Sequence, residues 1–198
     1  MPKRLNHQDI DELASVIRRS VPEPWIAWLG GIIDGEGCIG AWRRCRTDKT
    51  CQNPGYTVGI RIANTDRRMI KKIMDICGVM GGQAGYVNER RGSSRCKKAY
   101  FWGIQAYRAY ALLKVVRPYL ICKSEQADVA MALQDRISGR HGYNLVLMNS
   151  RVGGIVAKGS TLDKAEVEIR EELASKLRDL NIKGPKRQEA IECLKNAG

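Results

Sequence analysis

The segment Trp25–Gly37 reads WIAWLGGIIDGEG, and it limits the fold more than any other part of the chain. It has the apolar content of a helix, yet Gly30, Gly31 and Gly35 fall inside it. Each glycine costs about 0.5–1 kcal/mol in a helix relative to alanine, so close packing must offset them. Ala27, Gly31 and Gly35 recur at i, i+4 and i+8 and form a smooth stripe. Such a stripe lets another helix backbone approach closely, by the steric logic of small-xxx-small pairs. The chain has one such helix and no internal repeat. The simplest partner is the same helix of a second subunit across a two-fold axis, which makes Ala27, Gly31 and Gly35 candidate dimer-interface residues.

Glu36 stands where this helix ends, and the helix dipole already presents partial negative charge there. A second copy across a two-fold axis adds like-charge repulsion that a cation would relieve. The arrangement points to a divalent metal. Mg²⁺ suits it, being hard, oxygen-seeking and satisfied by few carboxylates plus waters and phosphate oxygens. The stretch Gly35–Gly40 also matches GxGxxG, but a dinucleotide fingerprint needs a helix N-terminus after its glycines. Here Trp42, Arg43 and Arg44 follow in a strand-like pattern, and Glu36 would repel phosphate. That reading is set aside.

Around the glycine-rich helix the pattern alternates between helical and strand periods. Asn6 is placed to cap a helix with an apolar stripe of Ile10, Leu13, Val16 and Ile17. Pro22 and Pro24 then punctuate the chain, Pro24 suiting the first turn of a helix from Trp25 to Gly35 that ends in a turn at Gly37. Residues 38–46 and 56–64 alternate with period two, as half-buried strands do, around a hairpin loop containing Asp48, Asn53, Pro54 and Gly55. Thr65 and Asp66 are capping residues for a helix through Met69, Ile70, Ile73, Met74 and Cys77, which Gly78, Gly81 and Gly82 end. Strands at 85–91 and 98–105 flank a Gly92-Ser93-Ser94 turn, and helices follow at 107–116 and 124–137. The expectation is an α+β fold of order αββαββα, its four strands forming an antiparallel sheet. Charge-mixed helices at 163–180 and 186–195 complete the chain. An N-terminal helical extension (1–23), a core domain (24–140) and a C-terminal helical region (141–198) result.

Charge narrows the class of partner. The net charge is +13, but it is unevenly spread. Residues 41–123 hold 18 Lys/Arg against 4 Asp/Glu, whereas residues 1–40 hold 4 against 6 and residues 124–198 hold 12 against 11. A basic segment this concentrated is the electrostatic footprint of a polyanion partner, nucleic acid above all. The seven cysteines are odd in number and form no CxxC pair, and the chain has only two histidines. Neither a disulfide framework nor a zinc site fits, and thiols in a reducing, intracellular compartment are expected. No stretch approaches the roughly 20 apolar residues of a membrane span. Asp9, Asp11 and Glu12 interrupt what would be the apolar core of a signal peptide.

Leu29-Gly30-Gly31-Ile32-Ile33-Asp34-Gly35-Glu36-Gly37 resembles the LAGLIDADG motif, and residues 24–137 resemble the core of the LAGLIDADG homing endonucleases. The likeness is to the single-motif, homodimeric and intron-encoded members. It implies a core with a four-stranded antiparallel DNA-binding saddle, and Mg²⁺-dependent double-strand cleavage of a long pseudo-palindromic site. An RNA-binding intron maturase, or a DNA-binding regulator without cleavage, are the alternatives on the same scaffold. The eighth motif position, the family's metal-binding acid, is Glu36, where most members have Asp. Asp34, at the sixth, is expected to be structural. Pro118–Ala127 resembles the segment that carries an active-site lysine, which gives Lys123 the task of polarising the attacking water or steadying transition-state charge. Ile62–Arg68 resembles the segment closing the second strand. Asn64 falls at its water-ordering polar position, although it also reads as a residue at the start of a helix. Arg67 or Arg68 matches a phosphate-facing arginine, and Arg68 joins Glu36, Asn64 and Lys123 in the candidate catalytic set.

The resemblance and the alternation together assign Trp42, Arg44, Arg46, Thr57, Arg61, Tyr86, Asn88, Arg90, Lys98 and Tyr100 to a DNA-facing surface. Arginines there can pair with guanine O6/N7 and Asn88 with adenine in the major groove. A one-residue slip in any strand would reverse its face.

Overall fold

The glycine-rich segment is a helix, α2 (Glu23–Glu36), and it passes directly into the first strand, β1 (Gly37–Arg44). The expected turn at Gly37 is absent. Gly37 has extended backbone, with φ −79° and ψ 157°, and its N–H donates to the Ile33 carbonyl. A Cβ there would lie 2.6 Å from that oxygen, so glycine is needed for closeness. The protein is described by a computed structural model over residues 7–44, 55–81, 85–90, 92, 97–138 and 164–182. The Asn6 cap, the loop at 48–54, Gly82, the Ser93-Ser94 turn, Arg46 and the helix at 186–195 lie outside these residues.

Helix α1 (His7–Ser20) precedes α2, and β1 is followed by β2 (Gly55–Asn64), α3 (Arg67–Gly78), β3 (Tyr86–Arg90), β4 (Ala99–Gln105), α4 (Ala106–Val116), α5 (Ser124–Ile137) and α6 (Lys164–Leu180). From α2 to α4 this is the αββαββα order. The fold is α+β, with one antiparallel sheet in the order β1-β2-β4-β3. Two hairpins meet along β2 and β4, where Ile60 faces Ile104 and Ile62 faces Trp102.

One face of the sheet is the core. Ile39, Val58, Ile60, Ile62, Trp102 and Ile104 are buried against the helices. Helix α4 lies at the centre, with Ala109, Leu112, Leu113 and Val116 fully enclosed. Each such leucine or valine contributes about 1.5–3 kcal/mol by leaving water. Helix α3 adds Ile70, Ile73, Ile76 and Cys77, a stripe at helical spacing, and burial pushes the Cys77 thiol up to about 12. Asp66 caps α3, accepting from the Arg68 N–H at 2.8 Å.

The flanking helices share this core. Ile10, Ala14, Ile17 and Val21 are buried, and α1 is tied to α4 by Arg18 donating to the Lys114 carbonyl (3.0 Å) and Lys114 pairing with Asp11 (2.5 Å). Helix α6 is fixed at both ends. Glu166 is fully buried between Arg136 (3.0 Å) and Arg170 (2.8 Å), and Asn181 donates to the Ile39 carbonyl on edge strand β1 at 2.8 Å. Among the described residues no helix is long and apolar enough to cross a membrane.

Candidate active site and nucleic-acid interface

The C-terminal turn of α2 is held from two directions. The Asp34 carboxylate accepts the backbone N–H groups of Ile121 (2.6 Å), Cys122 (3.0 Å) and Lys123 (2.9 Å). Burial pushes this acid up, but those three bonds and the Lys123 charge outweigh it and hold it below the usual carboxylate range. In return the buried Lys123 ammonium donates to the carbonyls of Ile33 (3.0 Å) and Asp34. These carbonyls belong to the last turn of α2, which leaves its final C=O groups without helical partners, and a cation there also suits the dipole. Asp34 and Lys123 thus form a reciprocal clasp between α2 and the start of α5.

Glu36 points outward from this clasped turn and is exposed. Among the described residues no group of three or more His, Cys, Asp or Glu could hold a metal ion. At the end of α2 the exposed carboxylate is Glu36. That donor set fits Mg²⁺, which keeps several waters and takes one or two carboxylates together with phosphate oxygens. It does not fit a metal that needs a closed cage of protein ligands.

Asn64 and Arg68 carry local bonds at and just beyond the end of β2 that lies beside the start of β1, where Gly37 faces Ile62. The Asn64 side-chain oxygen accepts the Asp66 N–H at 2.7 Å, the bond of a residue leading into a helix. The Arg68 guanidinium is paired with Asp66 at 2.6 Å, and that pairing holds the exposed Asp66 carboxyl down at about 2. Arg67 is exposed, with no ion-pair partner among the described residues.

The second face of the sheet is open. Register pairing puts Trp42 opposite Thr57, Cys38 opposite Arg61, Gly103 opposite Arg61 and Tyr86, Asn88 opposite Phe101, and Arg90 opposite Ala99. Trp42, Thr57, Arg61, Tyr86, Asn88 and Arg90 therefore share this face, as does position 44. Arg61, Asn88 and Arg90 are exposed, whereas Thr57 is buried. Lys98 and Tyr100 are a correction. Tyr100 lies opposite Asn64 and Glu89 and shares the core-side face with Trp102, and Lys98 pairs with Glu89 at 2.6 Å. The outward residues of β4 are Phe101, Gly103 and Gln105. Ala99–Gln105 reads AYFWGIQ, too uniformly apolar for alternation to reveal its phase. The buried Trp102 and Ile104, paired with Ile62 and Ile60, were the signal that sets it.

The chain superposes on the homing endonuclease I-CvuI in complex with an I-CreI target DNA and magnesium, with a TM-score of 0.60 and 20% identity over 88% of this chain and 94% of that chain. Against I-CvuI on its own target with calcium the TM-score is 0.56 at 21% identity, over 86% and 92%. The LAGLIDADG homing endonuclease I-GzeII, in complex with its DNA target, gives 0.50 at 13% identity, over 76% of this chain and 43% of that one. No protein-family profile and no curated protein sequence matches the chain. The fold is that of the LAGLIDADG homing endonucleases.

Proposed function

We propose that this chain is a site-specific homing endonuclease that cuts both strands of a long pseudo-palindromic DNA as a Mg²⁺-dependent homodimer. The observation that carries the reading is the position of Glu36. It is an exposed acid at the junction of α2 with β1, between the open small-residue side of the helix and the open face of the sheet. The homing endonucleases on which this chain superposes were solved as DNA complexes, and the basic excess of residues 41–123 suits the same partner.

In this reading two copies of α2 pack along Ala27, Gly31 and Gly35, bringing two Glu36 carboxylates together. Glu36 would hold the ion, which when bound supplies Lewis-acid activation of the scissile phosphodiester. Lys123 keeps the last turn of α2 in place and would supply the positive charge that offsets charge building on phosphate. Asp34 locks the backbone that carries Lys123. Asn64 and Arg68 sit where β2 returns toward this end, with Asn64 ordering solvent and Arg67 or Arg68 facing phosphate. The open sheet face, with Trp42, Arg61, Tyr86, Asn88 and Arg90, would lie in the major groove, whose edge pattern distinguishes all four base pairs. Two half-sites about the dimer axis imply a target of roughly two helical turns.

The test is incubation with a randomised duplex library and Mg²⁺, followed by sequencing of cut ends. A recurrent, two-fold-related site cleaved on both strands is the expected result, lost without divalent metal. If no duplex is cut and a structured intron RNA binds more tightly than any selected DNA, the maturase reading replaces this one.

A further inference from the structure

Gly40 and Gly59 are register partners on the open face of the sheet. The Trp42 indole lies across both. A Cβ at Gly59 would come within 2.9 Å of Trp42 Cζ3, and one at Gly40 within 3.2 Å of Cζ2. Gly59 has a second constraint, since its Cβ would also meet the Ile104 carbonyl oxygen at 2.6 Å. The pair makes a shallow slot that an indole fills lying flat, where a tryptophan would otherwise stand up from the sheet. On top of that ring sits Arg61, its Cζ 3.7 Å from the ring centroid. Among the described residues no carboxylate pairs with Arg61. Other basic groups differ: Lys98 is bound to Glu89, Arg68 to Asp66 and Arg117 to Asp128.

A guanidinium stacked on an aromatic face keeps its N–H edge outward while losing most of its rotamer freedom. That edge is the fork that reads guanine O6 and N7, and fixing it beforehand removes an ordering cost from binding. We propose that Arg61 is a specificity-determining residue for a guanine in each half-site, and that Trp42, seated on the Gly40–Gly59 slot, is its positioning residue. The proposal rests on the DNA-cleaving reading above and assigns the base selectivity of that site to a stack built within the free protein.

The experiment is duplex selection from a randomised library, then competition between selected duplexes carrying guanine or adenine at each position. Wild type should show one guanine-demanding position per half-site. At that position R61K, which keeps the charge but loses the fork, should reduce guanine-over-adenine discrimination about tenfold or more. W42L should do the same, and W42F, which keeps an aromatic face, should restore most of it. In the free protein, the Arg61 Nε–Hε NMR resonance should be moved upfield by the indole and return in W42L. Wild-type discrimination in a folded W42L, or an Arg61 resonance that W42L does not move, overturns the proposal. A selected, cleaved duplex with no guanine demand also overturns it, while leaving the endonuclease reading standing. Failure to select any duplex removes both.

Discussion

Gly30 and Gly31 are neighbours in α2 and do opposite things, and the contrast extends down the helix. On the inward side a Cβ at Gly30 would stand 2.7 Å from Tyr119 Cβ, and one turn later Asp34 binds the backbone of residues 121–123. On the outward side Gly31 and Gly35 would meet nothing within 4 Å, and the same side ends at the exposed Glu36. A helix apolar all round is normally buried all round. Half of this one has found its partner inside the chain, and the open half lacks the side chains that a solvated face would carry. Gly30 is explained by the packing of Tyr119 against it, whereas nothing within the chain crowds Gly31 or Gly35.

The two acids give the strongest test of that division. Glu36→Gln should leave folding and DNA binding in place and lower cleavage by about 10²–10³-fold or more, the scale of losing a charge aimed at the reacting phosphate. Cleavage of a selected duplex, read beside a thermal melt, checks this. Undiminished turnover would remove Glu36 from the chemistry and return the outward face to mere surface.

Asp34→Ala should do the reverse, lowering stability first. Three N–H groups lose a carboxylate acceptor, but Ile121 is 84% exposed and water can replace part of the loss, so about 2–3 kcal/mol is expected. The dependence on pH has a fixed sign. Because the folded state holds Asp34 below its ordinary value, its contribution is complete above the unfolded carboxylate pKa of about 3.9. It fades as pH falls through the lower, folded value. Denaturant titrations of both proteins should therefore converge in acid, and a gap that widened there would contradict the clasp.

Gly30→Ala should cost less. Tyr119 Cβ is rigidly attached to backbone, so α2 and the segment carrying Tyr119 must move apart, at about 1–3 kcal/mol for an overpacked contact. Thermal melts should show it at any protein concentration, since the clash lies within one chain. A change in Tm that depended on concentration would place Gly30 at an intermolecular contact instead.

Much of this was legible in the sequence because different signals agreed. The Ala27–Gly31–Gly35 spacing, the charge concentrated in residues 41–123 and the period-two runs each marked their element, and β1 and β2 have the face expected of them. Strand β4 was misread, since Ala99–Gln105 offers no polar contrast and the amphipathic Tyr100 looks as outward as Phe101. The hydrogen bonds of Asn64 and Arg68 were only half visible. An Asn-Thr-Asp run can cap a helix or dress a site, and in the folded chain Asn64 accepts the Asp66 N–H. The clasp was legible in part: Asp34 reads as structural from its motif position, but its partners lie 87 to 89 residues away. No local pattern reports such a distance.

The smallest expected effect is the most discriminating, because its sign turns on assembly. Gly31→Ala adds a methyl to an open face of a helix, where alanine is favoured over glycine by about 0.8–1 kcal/mol. In dilute solution, where the protein is monomeric, the variant should melt slightly higher than wild type. If two α2 helices pack across Gly31 with backbones nearly touching, the same methyl enters the interface twice and forces the axes apart. At concentrations that favour the dimer the variant should then lose affinity for itself, about tenfold for each 1.4 kcal/mol, and its melting advantage should reverse. Sedimentation across a concentration series, paired with melts at the same concentrations, reads both limbs. A stabilisation that persisted at every concentration, in a protein that still cut both strands, would mean that Gly31 faces solvent and that the two Glu36 residues meet by another route.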